Sequence, residues 1–249
     1  MKLRLMTYNV HRCVGVDRRL DVERVAEVIA DMKPDVVALQ ELDVGRRRTG
    51  GVDQAHRLAE LLNMRWHFNA ALSVENERYG DAILTAIPER LVKAGALPGY
   101  HRLKGLEPRG ALWVELDLGE GRQLQVINTH LGLVPREQQI QAAALIGEKW
   151  LASEDFTPPA VLLGDFNATP FSATYRLLCS VLRDAQADFG LAGGGRPPTA
   201  TFPSGFPLLR IDHVFLAGEI RVVSVESPFD AKARAASDHL PLVVELDLA

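Results

Sequence analysis

The chain has 249 residues, 47% of them apolar and 24% charged, an ordinary globular composition that can bury a core without staples. Its net charge of −4 argues against wrapping long nucleic acid in a bulk basic field, yet leaves room for a small patch that grips one or two phosphates. The two cysteines, Cys13 and Cys179, supply neither a disulfide framework nor the paired spacing of a zinc site. No apolar run reaches the roughly 18 residues of a membrane span, and charges at Lys2 and Arg4 interrupt what a signal peptide would need, so the cytoplasm is the expected location.

Leu3 to Val10 reads as a strand. Asp21 is placed to cap a helix whose apolar stripe is Val22, Val25, Ala26 and Ile29; Pro34 ends it, and Val36 to Leu39 follows as a buried strand. A helix over Gln54 to Leu62 precedes a strand at Trp66 to Asn69, then strands at Ala82 to Thr85, Gly110 to Leu118 and Leu124 to Thr129. The last two are joined through Gly119-Glu120-Gly121-Arg122 as a hairpin. Arg136 to Leu151 reads as the longest helix, Ala160 to Leu163 as a strand and Ser172 to Leu178 as a short helix. Gly190 to Pro207 is too rich in Gly and Pro for packed structure and reads as a long loop; strands resume at Ile211 to Leu216, Ile220 to Val225 and Leu242 to Leu246. With no break in composition, one domain is expected over 1–249, built from two blocks of strands with helices outside them.

Polar residues interrupt the apolar strands at their ends. Asn9 and His11 end the first, Gln40-Glu41 the second, Asn128 and His130 a third, and Asp165 and Asn167 follow Val161-Leu162-Leu163-Gly164. Asp212 opens a strand and Asp238-His239 precede the last one. Taken singly, each is explained by turn formation, capping or solvation. Together, several acidic and amide oxygens and two histidines in one local context are not, because strand ends are rigid places from which side chains converge.

On these residues the chain resembles the endonuclease/exonuclease/phosphatase superfamily along nearly its whole length. The matching segments, in order, are Thr7 to His11, Leu39-Gln40-Glu41, Tyr79 to Leu84, Asn128 to Leu131, Gly164-Asp165-Phe166-Asn167, Arg210 to His213 and Ser237-Asp238-His239. Arg48 to Gln54 is similar to the small bacterial metal-dependent hydrolases of that superfamily. The resemblance implies an α/β (α+β) fold, a four-layer αββα sandwich of two mixed, mostly antiparallel sheets, with the site at one edge between them.

It also implies divalent-metal-dependent hydrolysis of phosphoesters with Mg²⁺ or Mn²⁺, in keeping with hard oxygen ligands. Glu41 is then the principal metal ligand, with Asn9 and Asp238 near the same ion. Asp165 activates or orients water, Asn167 holds a phosphate oxygen, Asp212 orients His239, and His239 and His130 contact phosphate or leaving group. Arg109 stands where the family places a residue that contacts phosphate or supports the site, its bland alternative being a surface salt bridge. Arg46 and Arg48, in the triplet Arg46-Arg47-Arg48, read either as a phosphate clamp on the rim or as a solvated charge run. Two departures stand out. Asp81 replaces a common Asn, either altering metal occupancy or accepting a backbone hydrogen bond, and His213 replaces an aromatic, most simply as a packed histidine. The expected substrate is that of a nuclease-like phosphodiesterase, with phospholipid head groups or small phosphoesters as alternatives and a binding module with a relict site as the contrary reading. Phe202 and Phe206 border the site by their place before Arg210 and Asp212, whether to anchor the loop, stack on a base or contact lipid.

Overall fold

The computed structural model describes residues 1–191, 193 and 199–248. The first half runs β1 (Lys2–Asn9), α1 (Val22–Met32), β2 (Val36–Val44), α2 (Gln54–Leu62), β3 (Arg65–Val74) and β4 (Glu77–Thr85). The middle runs β5 (Glu89–Ala96), β6 (Gly110–Asp117), β7 (Gln123–His130), α3 (Pro135–Leu145), β8 (Ala160–Asp165) and α4 (Ala173–Cys179). The rest comprises β9 (Arg183–Asp184), α5 (Ala185–Leu191), β10 (Asp212–Ala217), β11 (Ile220–Glu226), α6 (Ala231–Ala236) and β12 (Leu242–Leu248).

Alternation along the strands builds the layers. On β1, Leu3 and Leu5 face one way, and Met6 and Tyr8 the other. The first face joins Val36, Ala38 and Ile83 against Leu112, Val126, Leu163 and Val214 of the other sheet, forming the core between sheets. The opposite faces bury helices: Val25 and Ile29 of α1, Leu58 of α2 and Ala233 of α6 against the first sheet, Ala142 and Leu145 of α3 and Leu178 of α4 against the second. The first sheet is ordered β11-β12-β1-β2-β4-β3 and the second β5-β6-β7-β8-β10-β9. Among the described residues, only the β1–β2 and β7–β8 pairs are parallel. The expected αββα sandwich of mostly antiparallel sheets is the fold observed.

The local signals behave as their chemistry dictates in several places. Asp21 accepts the Arg24 N–H at 2.8 Å and starts α1; Lys33 ends it in a left-handed conformation one residue before Pro34. Elsewhere the structure corrects the sequence reading. Helix α3 stops at Leu145, with Ile146 as its cap and Gly147 following, so Ile146 to Leu151 continues as turns that still bury Trp150. The stretch read as an irregular loop is helical to Leu191, and its later part is packed: Thr201 and Ser204 are fully buried, and Phe202 and Leu209 bridge as the base of a short hairpin. Ala192 and 194–198 of that stretch lie outside the described residues.

Gly164 shows why β7 and β8 lie as close as they do. A Cβ there would stand 1.8 Å from the Thr129 carbonyl oxygen, at a φ of +150° that side chains rarely adopt. Gly164→Ala should therefore lower stability by about 2–4 kcal/mol in denaturant unfolding, whereas a wild-type midpoint would show the close approach to be unnecessary.

Candidate active site

The side chains of the inter-sheet face change from apolar to polar at one end of the sandwich. Leu3 and Leu5 give way to Thr7 and Asn9 on β1, Val36 and Ala38 to Gln40 on β2, Leu124 and Val126 to Asn128 and His130 on β7. On β8, Val161 and Leu163 are followed by Asp165; β10 runs the other way, and its cross-strand partner of Asp165 is Asp212. Beneath the site, Asn128 spans the sheets, donating to the carbonyls of Leu39 and Ala82 at 2.9 and 2.8 Å and accepting from Gln40 at 2.8 Å. All of these partners are fully buried, so the network fixes the two halves of the site relative to each other.

Glu41 arrives by a different route. By alternation it would follow Val37 and Leu39 toward the helices. A bulge intervenes, because the register passes from Leu39 opposite Ala82 to Leu42 opposite Gly80, and Glu41 takes a φ of +63°. That turns its carboxylate into the cleft. Strain concentrates here: His11, Arg12, Cys13, Glu41 and Asn167 are half of the ten non-glycine residues with positive φ among the described residues.

The cleft, of about 580 Å³, is lined by Glu41, Arg109, His130, Asp165, Asn167, Asp238 and His239, among others. At its centre lies Asp165 Oδ2. Asn9 Nδ2 donates to it at 2.9 Å, and His130 Nε2 and His239 Nε2 stand 3.5 and 3.6 Å away. Asp165 Oδ1 accepts the Asn167 N–H at 2.9 Å. Burial, and then the Asp212 carboxylate, push the Asp165 carboxyl above its usual range against the pull of His239 and its hydrogen bonds.

The two histidines are held in opposite charge states. Arg109, buried and itself paired with Glu107 at 2.9 Å, donates from Nη1 to His130 Nδ1 at 2.9 Å. A guanidinium only donates, so Nδ1 accepts and the His130 proton sits on Nε2, 3.5 Å from Asp165 Oδ2, while the Asn167 amide nitrogen donates to the Leu131 carbonyl. Burial and the Arg109 charge keep His130 neutral. For His239, burial opposes the charge but is outweighed by Asp212 and Asp165, and the imidazole is pushed up to about 10. Its Nδ1 donates to Asp212 Oδ2 at 2.8 Å, an oxygen that also accepts from Thr201. The pair therefore contributes stability in full below pH ~6.5 and loses it as pH rises through about 10. Asp212→Asn should bring the His239 midpoint down by more than a unit in an NMR titration of the metal-free protein; an unmoved midpoint would contradict the pairing.

Of the residues expected from sequence, Asn9, Glu41, Arg109, His130, Asp165, Asn167, Asp238 and His239 converge, with Asp212 behind His239. Asn9 turns its amide nitrogen, not its oxygen, toward Glu41 and Asp165, at 3.1 and 2.9 Å, while Oδ1 accepts the His11 N–H. Arg109 is neither a surface salt bridge nor free, since it holds His130. Arg48 lines the cleft but gives Nε and Nη2 to buried Asp43, both at 2.7 Å. Arg46 faces Glu77 at 3.5 Å and does not line the cleft, and Arg47 is solvated. His213 is packed as expected, fully buried with Nε2 2.7 Å from the Ala168 carbonyl and its ring stacked on Phe215. Asp81 is buried outside the cleft lining, where the Glu41 backbone N–H reaches it; burial pushes it up to about 8. Phe202 tilts against His239 at 4.8 Å, whereas Phe206 is 71% exposed and anchors nothing.

Sequence reasoning gave no role to His11, which it placed at the end of the first strand, and missed Arg12 and Thr201. The first two enter the cleft from a left-handed turn whose backbone is braced by Gln54 donating to the Arg12 carbonyl at 2.6 Å. Nothing in the local sequence marks Thr201, whose role depends on a hairpin returning to Asp212. Asp165, Asp212 and His239 also offer ligand atoms that all lie within 4.8 Å of one another, a group that could hold a metal ion.

The sandwich and its buried Asp/His cluster define a phosphoesterase fold. Residues 6–239 match the family model described as the endonuclease/exonuclease/phosphatase family, and the chain belongs to that family. The chain is 26% identical to the uncharacterized protein YbhP of Escherichia coli strain K12, over 98% of this chain and 96% of that one. Among solved structures, it resembles an endonuclease/exonuclease/phosphatase from Beutenbergia cavernae (TM-score 0.74, 25% identity, 100% of this chain and 72% of that one). It also resembles a functionally unknown conserved protein from Enterococcus faecalis (TM-score 0.78, 21% identity, 99% and 100%).

Proposed function

We propose that this protein is a divalent-metal-dependent phosphoester hydrolase. The observation that carries the reading is the convergence on Asp165 Oδ2 of an amide from β1 and two imidazoles, one from the end of β7 and one from the turn before β12.

The donor set suits Mg²⁺ or Mn²⁺. Glu41 and Asp238 face the cleft with hard oxygens, and among the described residues no Lys or Arg pairs with either. We assign the ion to these two carboxylates and not to the Asp165–Asp212–His239 group, because Asp212 Oδ2 is already bound by His239 and Thr201 and Asp212 does not line the cleft. Asn9 positions Glu41 and Asp165 through its amide nitrogen. Bound there, a divalent ion would offset the negative charge of the phosphate and polarise its P–O bond.

The chain's own residues supply the rest. Asp165 orients a water for attack on phosphorus and takes its proton, consistent with a carboxyl whose pKa is raised. The His239 imidazolium, fixed by Asp212, supplies positive charge where the phosphoryl oxygens become more negative. His130 presents an Nε2–H whose position Arg109 dictates, which serves a phosphate oxygen or the leaving group. A relict binding module would have lost at least one of these groups, and none is missing.

The test is hydrolysis of bis(p-nitrophenyl) phosphate, single-stranded DNA and phospholipid with Mg²⁺ or Mn²⁺, beside Glu41→Ala purified identically. Turnover that disappears in chelator and in the variant is the expected result. Equal turnover in excess chelator would remove the metal from the mechanism.

A further inference from the structure

Large apolar side chains stand in water around the cleft mouth. Leu133, between β7 and α3, is 73% exposed and Phe171, between β8 and α4, is 87% exposed. In the hairpin before β10, Phe206 and Leu208 are 71% and 67% exposed. All three loops border the same cleft, since Leu133, Thr169, Phe202 and Leu209 line it. Single exposed apolar residues are ordinary; four of them on three loops that border one cleft are not.

The hairpin is held out on a fixed base. Phe202 and Leu209 bridge, and buried Ser204 is tied by its hydroxyl to the Arg234 and Ser237 carbonyls at 3.1 and 2.7 Å. Cations flank the apolar tips. Arg136 lies three residues after Leu133, and Arg176 donates to the Phe171 carbonyl at 2.7 Å; both are exposed, and among the described residues neither has a carboxylate partner. Apolar tips on separate loops with interspersed arginines suit a fluid surface of negative head groups over acyl chains.

We propose that the cleft mouth docks on an anionic phospholipid bilayer, with Leu133, Phe171, Phe206 and Leu208 entering the boundary between head groups and acyl chains. Resting on the phosphoesterase reading, it makes the substrate a phosphoester presented by a lipid, which meets Asp165 and His239 without leaving the membrane.

The experiment is co-sedimentation of the full chain with vesicles of phosphatidylcholine, with and without phosphatidylglycerol. Wild type should partition onto the phosphatidylglycerol vesicles, less so at high salt. The triple variant Phe171→Ser, Phe206→Ser, Leu208→Ser should bind about tenfold or more weakly, while hydrolysing the soluble diester as wild type does. A second variant, Arg136→Glu with Arg176→Glu, should lose the preference for the anionic vesicles, which guards against a misfolded triple variant. Wild type left in the supernatant at every composition overturns the proposal, as does a folded triple variant that sediments as wild type does. An oligonucleotide that binds wild type and not the triple variant, with vesicles unbound, overturns it too and assigns the rim to base stacking. Absence of soluble-diester hydrolysis would instead sink the phosphoesterase reading, leaving the vesicle comparison legible.

Discussion

Turnover of a responsive phosphoester should fall by about 10²–10⁴-fold in His239→Ala, with the fold retained. The imidazole does two things that alanine cannot replace. It carries positive charge into the cleft, and it separates the carboxylates of Asp165 and Asp212, which face each other across β8 and β10. Without it, two buried acids share one site with no counter-charge, and one of them is driven to bind a proton. Glu41→Ala should be as severe for a different reason. Among the described residues its carboxylate has only the Asn9 amide as a partner, at 3.1 Å, so its loss breaks no ion pair there and should leave melting almost unchanged. Titration calorimetry with Mn²⁺ separates the two: binding should vanish in Glu41→Ala and persist in His239→Ala. Wild-type turnover in either variant would dismantle the assignment.

Asp165→Asn should be inactive and should lose wild type's decline in stability with rising pH. The Asp165 carboxyl is held above its ordinary value, so the folded state resists an ionisation that the unfolded chain undergoes at pH ~3.9. Stability is therefore lost as pH rises from there toward the raised value; asparagine abolishes that pH dependence and keeps an acceptor for the Asn167 N–H, at the cost of an NH₂ facing the Asn9 amide that donates to Oδ2. Asp81→Asn is the control. Its carboxyl is pushed up to about 8, so its stability gain should widen from about pH 4 to pH 8, but turnover should survive because Asp81 stands outside the cleft lining. Thermal melts across this range, paired with rates, check both. A folded and fully active Asp165→Asn would deny that carboxylate its part in the chemistry.

Much of this was legible in the sequence because the decisive pattern has period two. Leu3, Leu5, Thr7 and Asn9 share a face, as do Val161, Leu163 and Asp165, and a switch from apolar to polar on the core-facing parity marks where the sandwich opens. What escaped depends on pairing with distant chain. The resemblance alone places Glu41 in the site; its parity is wrong for it, and the bulge opposite Asp81 corrects that. The strand Glu89–Ala96 lies at a sheet edge with charged Arg90 and Lys93 and an irregular burial pattern, so it carries no alternation to detect. The apolar residues after Leu145 extended a helical pattern that Gly147 ends. Within Arg46-Arg47-Arg48, the choice among cleft, carboxylate and solvent rests on Asp43 and Glu77, which composition alone does not locate.

In the first sheet, β1 lies between β2 and β12, so the first of the described strands is flanked by the last. On the ribosome, a nascent chain that has emerged as far as α6 already carries Glu41, His130 and Asp165, but His239 and the strand that seats it are still to come. A chain cut short before residue 239 therefore lacks both the imidazole that Asp212 fixes and one neighbour of β1, whatever its remaining layers manage to fold.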